Sequence, residues 1–139
     1  MENLEKENNL SKLVDKLRKS EDPKRKYEYI LWLGKKLKEP DSNILVKENK
    51  VMGCVSEVFI KANIKCGKLY WEGYSDALIT RGLLAFLING LNELKPNEVV
   101  EIDNKFIEDT GLKASLTPSR SNGFLNILLK MQAQANQFL

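Results

Sequence analysis

The run SDALITRGLLAFLIN, Ser75 to Asn89, constrains this chain more than any other stretch. Read as a helix, its apolar residues Ala77, Leu78, Ile79, Leu83, Leu84, Phe86, Leu87 and Ile88 surround most of the circumference. A helix that is greasy on nearly all sides cannot lie on a surface, so the rest of the chain must wrap it. Its longest apolar piece, GLLAFLING, falls well short of the roughly 20 residues a bilayer span needs. The expectation is therefore the central helix of a small core, with Ser75 or Asp76 as its N-cap. A length of 139 residues suits one domain of that kind, residues 1–139, with no internal repeat or linker to divide it.

The flanks supply the wrapping. Leu10, Leu13, Val14 and Leu17 give a helical stripe within a segment running from about Asn3 to Lys19. A second helix opens on Asp22 as N-cap with Pro23 at its first position. Tyr27, Ile30, Leu31 and Gly34 then fall on one face, and Pro40 is expected to end it. Asn43 to Val51 reads as a weak strand. Val55 to Ile64 reads as a better one, with Val58, Ile60, Ala62 and Ile64 on the buried face. KCGK supplies a turn near Cys66 and Gly67, and LYWEGY returns as the partner strand. Pro96 opens a short helix, another ends at Gly111, and Thr117 with Pro118 starts a last one carrying Phe124, Ile127, Leu128 and Met131. The fold class expected is α+β: a small antiparallel sheet of about three strands flanked by helices.

Composition excludes more than it selects. A net charge of +3 is too small for a nucleic-acid footprint or a membrane-surface patch. The polar start MENLEKENNLSKL has neither the apolar core of a secretory signal nor the Arg-rich character of a transit peptide, so a cytoplasmic protein is expected. The chain has no histidine, which removes Cys-His and Ser-His-Asp nucleophile pairs from within it and most zinc or iron ligand sets. Two cysteines cannot close a tetrahedral sulfur site, so no bound metal or cofactor is expected.

The two cysteines then come apart. Cys54 precedes the outgoing strand and Cys66 sits in the turn beyond it. Ten extended residues at about 3.3 Å each put them roughly 30 Å apart, too far for a disulfide. Cys66 reads as an exposed turn residue. The hairpin folds GYSDA back beside Cys54, bringing Asp76 and the start of the central helix near the thiol. The helix terminus would favour a thiolate and the carboxylate would oppose it. At this level Cys54 remains either a small buried hydrophobe or a reactive thiol.

Three segments, MGCVSEVF, GYSDALITRGLLAFL and LTPSRSNGF, stand in an order and spacing that resembles the SufE family of sulfur-acceptor proteins, including the CsdE proteins. The resemblance runs from about Leu13 through the last helix and implies a single SufE-like domain with an IscU-like fold. It implies that Cys54 accepts persulfide sulfur from a pyridoxal-phosphate (PLP) cysteine desulfurase of the SufS type. It further implies that the chain stimulates that enzyme and passes the sulfur to an iron–sulfur scaffold complex of the SufBCD type. PLP would belong to the desulfurase. Such a protein is a partner and activator of an enzyme, with no nucleic-acid or membrane partner. The chemistry tolerates the missing histidine, because persulfide exchange needs a thiolate and access but no general base once the thiolate exists.

By the same resemblance Arg120 and Asp76 join Cys54 as site residues, with Gly53, Ser56 and Ser119 in support. Arg120 would lie in the first turn of the last helix, where a cation opposes the macrodipole, so it is expected to reach a charge: Asp76, or the thiolate or persulfide of Cys54. Gly53 would let the backbone bend and leave room for a donor sulfur. Ser75 and Ser121 read as ordinary capping and turn residues. The chain departs from the family at Val55 and Glu57, where Gln is frequent, at Tyr74 where Asp is common, and at Phe59 where Trp is common. A purely regulatory module that docks on the desulfurase without taking sulfur is the alternative reading. An independent cysteine enzyme is disfavoured by the lack of histidine and of a nearby resolving cysteine.

Overall fold

The structure, a computed structural model, describes residues 8–139. The apolar run forms helix over Leu78–Leu91, and eleven of its 14 residues are buried. Around it stand α1 (Asn9–Lys19), α2 (Pro23–Lys35), the hairpin β1 (Val58–Lys65) and β2 (Lys68–Ser75), and, after the central helix α3, the short α4 (Pro96–Val100) and α5 (Phe106–Asp109) and the long α6 (Pro118–Asn136). The helix α3 touches α1, α2, β2 and α6, which is why it can be apolar on nearly every side. This is an α+β fold.

Local chemistry sets the helix starts. Asn8 and Ser11 form a reciprocal capping box for α1, Asp22 caps α2 by accepting from the Lys24 N–H, and Thr117 caps α6 by accepting from the Arg120 N–H. The stripe Leu10, Val14 and Leu17 is buried; the part of that expected helix before residue 8 lies outside the described residues. Phe124, Ile127, Leu128 and Met131 of α6 are all fully buried.

Several boundaries differ from the sequence expectation. The helix α2 ends at Lys35, short of Pro40, because the Lys36 and Leu37 N–H groups turn to the carbonyls three residues back, of Leu33 and Gly34. Its buried face is turned toward Lys26, Ile30, Leu33 and Gly34, leaving Tyr27 exposed. Lys26 is buried because its Nζ donates to the Thr110 carbonyl at 2.8 Å. Neither Ser75 nor Asp76 is the N-cap of α3; that position is Ala77, whose N–H is taken by Ser75 Oγ.

Among the described residues the sheet has two strands, not about three. Asn43 to Val51 is not a strand but two 3-10 turns, Ser42–Ile44 and Lys47–Asn49, followed by a single bridge between Lys50 and Phe59. Its polar residues bond locally instead of to a ladder: Asp41 accepts the Asn43 N–H, and Asn49 donates to the Ile44 carbonyl. The hairpin turn lies at Cys66 and Gly67, as expected, with φ of 53° and 77°, the two left-handed residues of a type I′ turn. Val58, Phe59 and Ile60 are buried in succession, while Ile64 at the far end is exposed. Burial along β1 thus falls off toward the turn, whereas on β2 Leu69, beside the turn, stays fully buried.

Candidate functional site

Cys54 lies in the loop that leads into β1, and α6 holds this loop in place. Gly53 adopts φ +81°, a conformation that costs any residue with a Cβ about 1–2 kcal/mol. Its carbonyl accepts from Asn126 Nδ2 at 3.1 Å, and Lys130 Nζ reaches the Glu48 carbonyl at 2.7 Å. A Cβ on Gly53 would meet Asn126 Nδ2 at 2.7 Å. The bend read from the sequence is present, but the space beside Gly53 is filled by Asn126.

The thiol is half-buried against the backbone of α6. Sγ stands 4.0 Å from the Gly123 carbonyl, to which it can donate, and a Cβ on Gly123 would sit 3.5 Å from the sulfur. Beside it lies a cavity of about 10 Å³ lined by Cys54, Ser56, Thr80, Leu83, Ser119 and Arg120, among others. That is about the room one water needs. Met52 and Val55, on either side of the thiol, are each 73% exposed. The half-buried Cys54 thus lies in a loop that carries two open apolar side chains.

The guanidinium of Arg120 is anchored in this cavity. Its Nη1 donates to Ser56 Oγ at 2.8 Å and to Thr80 Oγ1. Burial pushes the Cys54 thiol pKa above its ordinary value, and the Arg120 charge pulls the other way without cancelling the shift. The resting state is therefore biased to the neutral thiol, with a cation in place to favour the anion.

Asp76 is not part of this cluster. Its Oδ1 accepts the Glu57 N–H at 3.1 Å, and its own N–H donates to the Glu57 carbonyl, which fastens the end of the cysteine loop to the hairpin. Among the described residues there is no Asp76–Arg120 ion pair. Ser75 is buried, and its carbonyl accepts both Nε and Nη2 of Arg81, whose guanidinium also lies over the Tyr74 ring. Tyr74, one of the departures from the family pattern, therefore has a local partner. Cys66 is exposed at the opposite end of the hairpin, and both cysteines are free.

Sequence reading missed Thr80, Gly123 and Asn126. Thr80 carried a usable signal: a hydroxyl in an apolar helix needs a partner when buried, and Thr80 is only 4% exposed. Gly123 had a weaker one, since glycine inside a helix often marks a close approach. Asn126 had none, being one more polar residue of an amphipathic helix.

Residues 11–135 match the SufE family model, described as an Fe-S metabolism associated domain. An uncharacterized SufE-like protein of Synechocystis is 50% identical over 130 residues, covering 94% of this chain and 82% of that one. SufE-like protein 1, chloroplastic/mitochondrial, of Arabidopsis thaliana is 39% identical over 91% of this chain but only 34% of its own length. Cysteine desulfuration protein SufE of Plasmodium falciparum is 32% identical, over 79% of this chain and 46% of that protein. The solution structure of a hypothetical protein from Thermus thermophilus superimposes with a TM-score of 0.80 at 23% identity, covering 93% of this chain and 94% of that one, a likeness of fold.

Proposed function

This chain belongs to the SufE family, and from that premise we propose that it is a sulfur acceptor and relay serving iron–sulfur cluster assembly. A PLP-dependent cysteine desulfurase of the SufS type is the donor, and the chain stimulates it. A scaffold complex of the SufBCD type receives the sulfur. PLP stays with the desulfurase, and the chain itself carries sulfur only as a covalent persulfide on Cys54. A reducing compartment, the cytoplasm, would keep both thiols free. Among the described residues no helix is long and apolar enough to cross a membrane.

The observation that carries this reading is a half-buried thiol sharing a one-water cavity with an anchored guanidinium. The Cys54 thiolate attacks the outer sulfur of the donor's persulfide. A new S–S bond forms on Cys54 as the donor's S–S bond breaks, and the donor cysteine leaves as a thiolate. The transferred sulfur keeps its proton, so the exchange is balanced without an added oxidant or reductant. Arg120 favours the attacking thiolate and afterwards the anion that the new persulfide forms when it releases its proton to solvent. Ser56 orients Arg120, and Ser119 lines the pocket. Asp76 holds the loop through Glu57, and Gly53 sets the bend that presents the sulfur. Met52 and Val55 form the apolar collar on which the desulfurase docks.

Docking has to raise the reactivity of a thiol whose resting pKa is high. That same observation favours the second reading, a regulatory module that stimulates the desulfurase without taking sulfur. Intact mass spectrometry after incubation with a SufS-type desulfurase, PLP and cysteine separates the two. The relay predicts one added sulfur on Cys54 and none on Cys66, with stimulation lost in Cys54→Ser while docking persists. Sulfur on neither cysteine, with stimulation intact in Cys54→Ser, would establish the regulatory module instead.

A further inference from the structure

The hairpin has two outer edges, and the fold treats them differently. In a two-residue type I′ hairpin the pair flanking the loop, Lys65 and Lys68, exchanges hydrogen bonds, and pairs alternate from there. Val58, Ile60, Ala62 and Ile64, with Ser75, Gly73, Trp71 and Leu69 opposite them, therefore turn their backbone groups outward. The tertiary bonds follow this parity. On β1, Gln134 takes the Ala62 N–H and the Ile60 carbonyl, and the Val51 N–H takes the Val58 carbonyl. On β2, Leu69 bonds to Leu94 and Glu93 through both its groups, and Arg81 takes the Ser75 carbonyl.

Between those closed ends, the outward N–H and C=O groups of Trp71 and Gly73 have no partner among the described residues. They border a groove of about 250 Å³ between β2, the end of α2 and the second half of α3. Leu33, Leu37, Ala85 and Ile88 make its apolar lining. Trp71 also lines it, is only 7% exposed, and has a buried indole N–H without an acceptor. Backbone groups at this depth are normally paired, and a sheet edge with alternating free donors and acceptors is a template for another strand.

Charge narrows the occupant. Lys35, Lys36 and Lys38 crowd the end of α2 against Glu39 alone, and Lys36 and Lys38 line the groove. Neither of those two has an ion-pair partner among the described residues; Lys36 Nζ lies 4.4 Å from the Trp32 ring centroid, and Glu39 and Glu72 line the same groove. Glu72, on the strand side, faces Lys61 across the ladder. We infer that this groove docks an extended segment of a partner protein, an aliphatic side chain flanked by carboxylates, which adds to β2 as a strand at Trp71 and Gly73. Its backbone completes the four free groups, its aliphatic side chain covers Leu33, Leu37 and Ile88, and its carboxylates meet Lys36 and Lys38. A second copy suits the groove less well: strand pairing needs an approach of about 4.8 Å, and it would bring two α2 ends, each carrying Lys36 and Lys38, against one another. The groove shares no lining residue with the Cys54 cavity and is a separate surface.

Amide hydrogen exchange by NMR on the full chain tests this, with the blocked peptide acetyl-Glu-Val-Glu-Leu-Glu-Val-Glu-amide as probe. Saturating peptide is expected to slow exchange at Trp71 and Gly73 by about tenfold or more, the signature of new backbone bonds. The Lys36→Glu/Lys38→Glu variant is expected to weaken the peptide about tenfold, as is raising the salt. Cys54→Ser should bind it unchanged, and the same peptide N-methylated at alternate amides should not bind. Unaltered exchange, or equal action by the N-methylated peptide, overturns the proposal. So does a free monomer whose Trp71 and Gly73 amides are already protected, since the chain then closes its own edge. Protection that grows with protein concentration alongside a dimer mass would make a second copy the occupant and overturn it too.

Discussion

At the scale of single residues, two opposed effects meet at one sulfur. Burial holds the Cys54 thiol pKa above its ordinary value while the Arg120 charge draws it back. Ser56 and Thr80 fix that charge. Removing it in Arg120→Met should move the pH midpoint of Cys54 alkylation further upward. Thr80→Val should shift the midpoint in the same direction by releasing the guanidinium, and Thr80→Ser should restore it. A midpoint unmoved in both Arg120→Met and Thr80→Val would mean that the cation does not act on the sulfur. The same shift has a consequence for stability, and its sign is fixed. A thiol whose folded pKa is raised holds its proton more tightly in the folded state. The Cys54 contribution is therefore full below the ordinary thiol pKa and is lost as pH rises from there through the folded value. Cys54→Ser should flatten that alkaline part of the stability profile, measured by urea unfolding at several pH values.

At the scale of elements, the hairpin shows which local rules are strong. Cys66 occupies a left-handed position that favours Asn or Gly, and nothing else in the fold requires a thiol there. Cys66→Asn should raise stability by about 1 kcal/mol, read as a higher urea midpoint at unchanged m, and leave the pH profile of Cys54 alkylation unchanged. Elements with strong local signals are where sequence and structure agree: Asp22-Pro23, Thr117-Pro118 and the Cys66-Gly67 turn each carry their own stop or start. Disagreement falls where local and tertiary bonds compete. In the stretch from Asn43 to Val51 the side chains of Asp41 and Asn49 satisfy backbone groups that a strand would have needed. Hairpin geometry makes Asp76 a neighbour of the thiol, which is right about the loop it touches and silent on where its carboxylate turns. For the candidate site, Cys54 and Arg120 stand out because the resemblance gives each a role, whereas Thr80 and Gly123, in the same segments, are given none. Thr80 and Gly123 matter through contacts between elements far apart in sequence, which no spacing rule encodes.

At the scale of the molecule, the apolar helix that shaped the sequence reading also fixes the position of the site. The helix α3 runs so close to α2 that side chains are excluded where they cross. A Cβ on Gly34 would lie 2.7 Å from the Gly82 nitrogen, and one on Gly82 would lie 2.1 Å from the Ile30 carbonyl oxygen. The obstacle in both cases is backbone, which cannot rotate away. Gly82→Ala should therefore push the two helices apart, even though alanine is the better helix former. Overpacking of this kind costs about 1–3 kcal/mol, so the urea midpoint should fall despite the gain in helix propensity. The effect should also reach the sulfur. Thr80 lies two residues before Gly82 on α3, and it anchors Arg120 from α6. Displacing α3 loosens that anchor, so alkylation of Cys54 in Gly82→Ala should resemble that in Thr80→Val. Lost stability with an unchanged Cys54 profile would show instead that the first turn of α3 holds its place independently of the helix crossing.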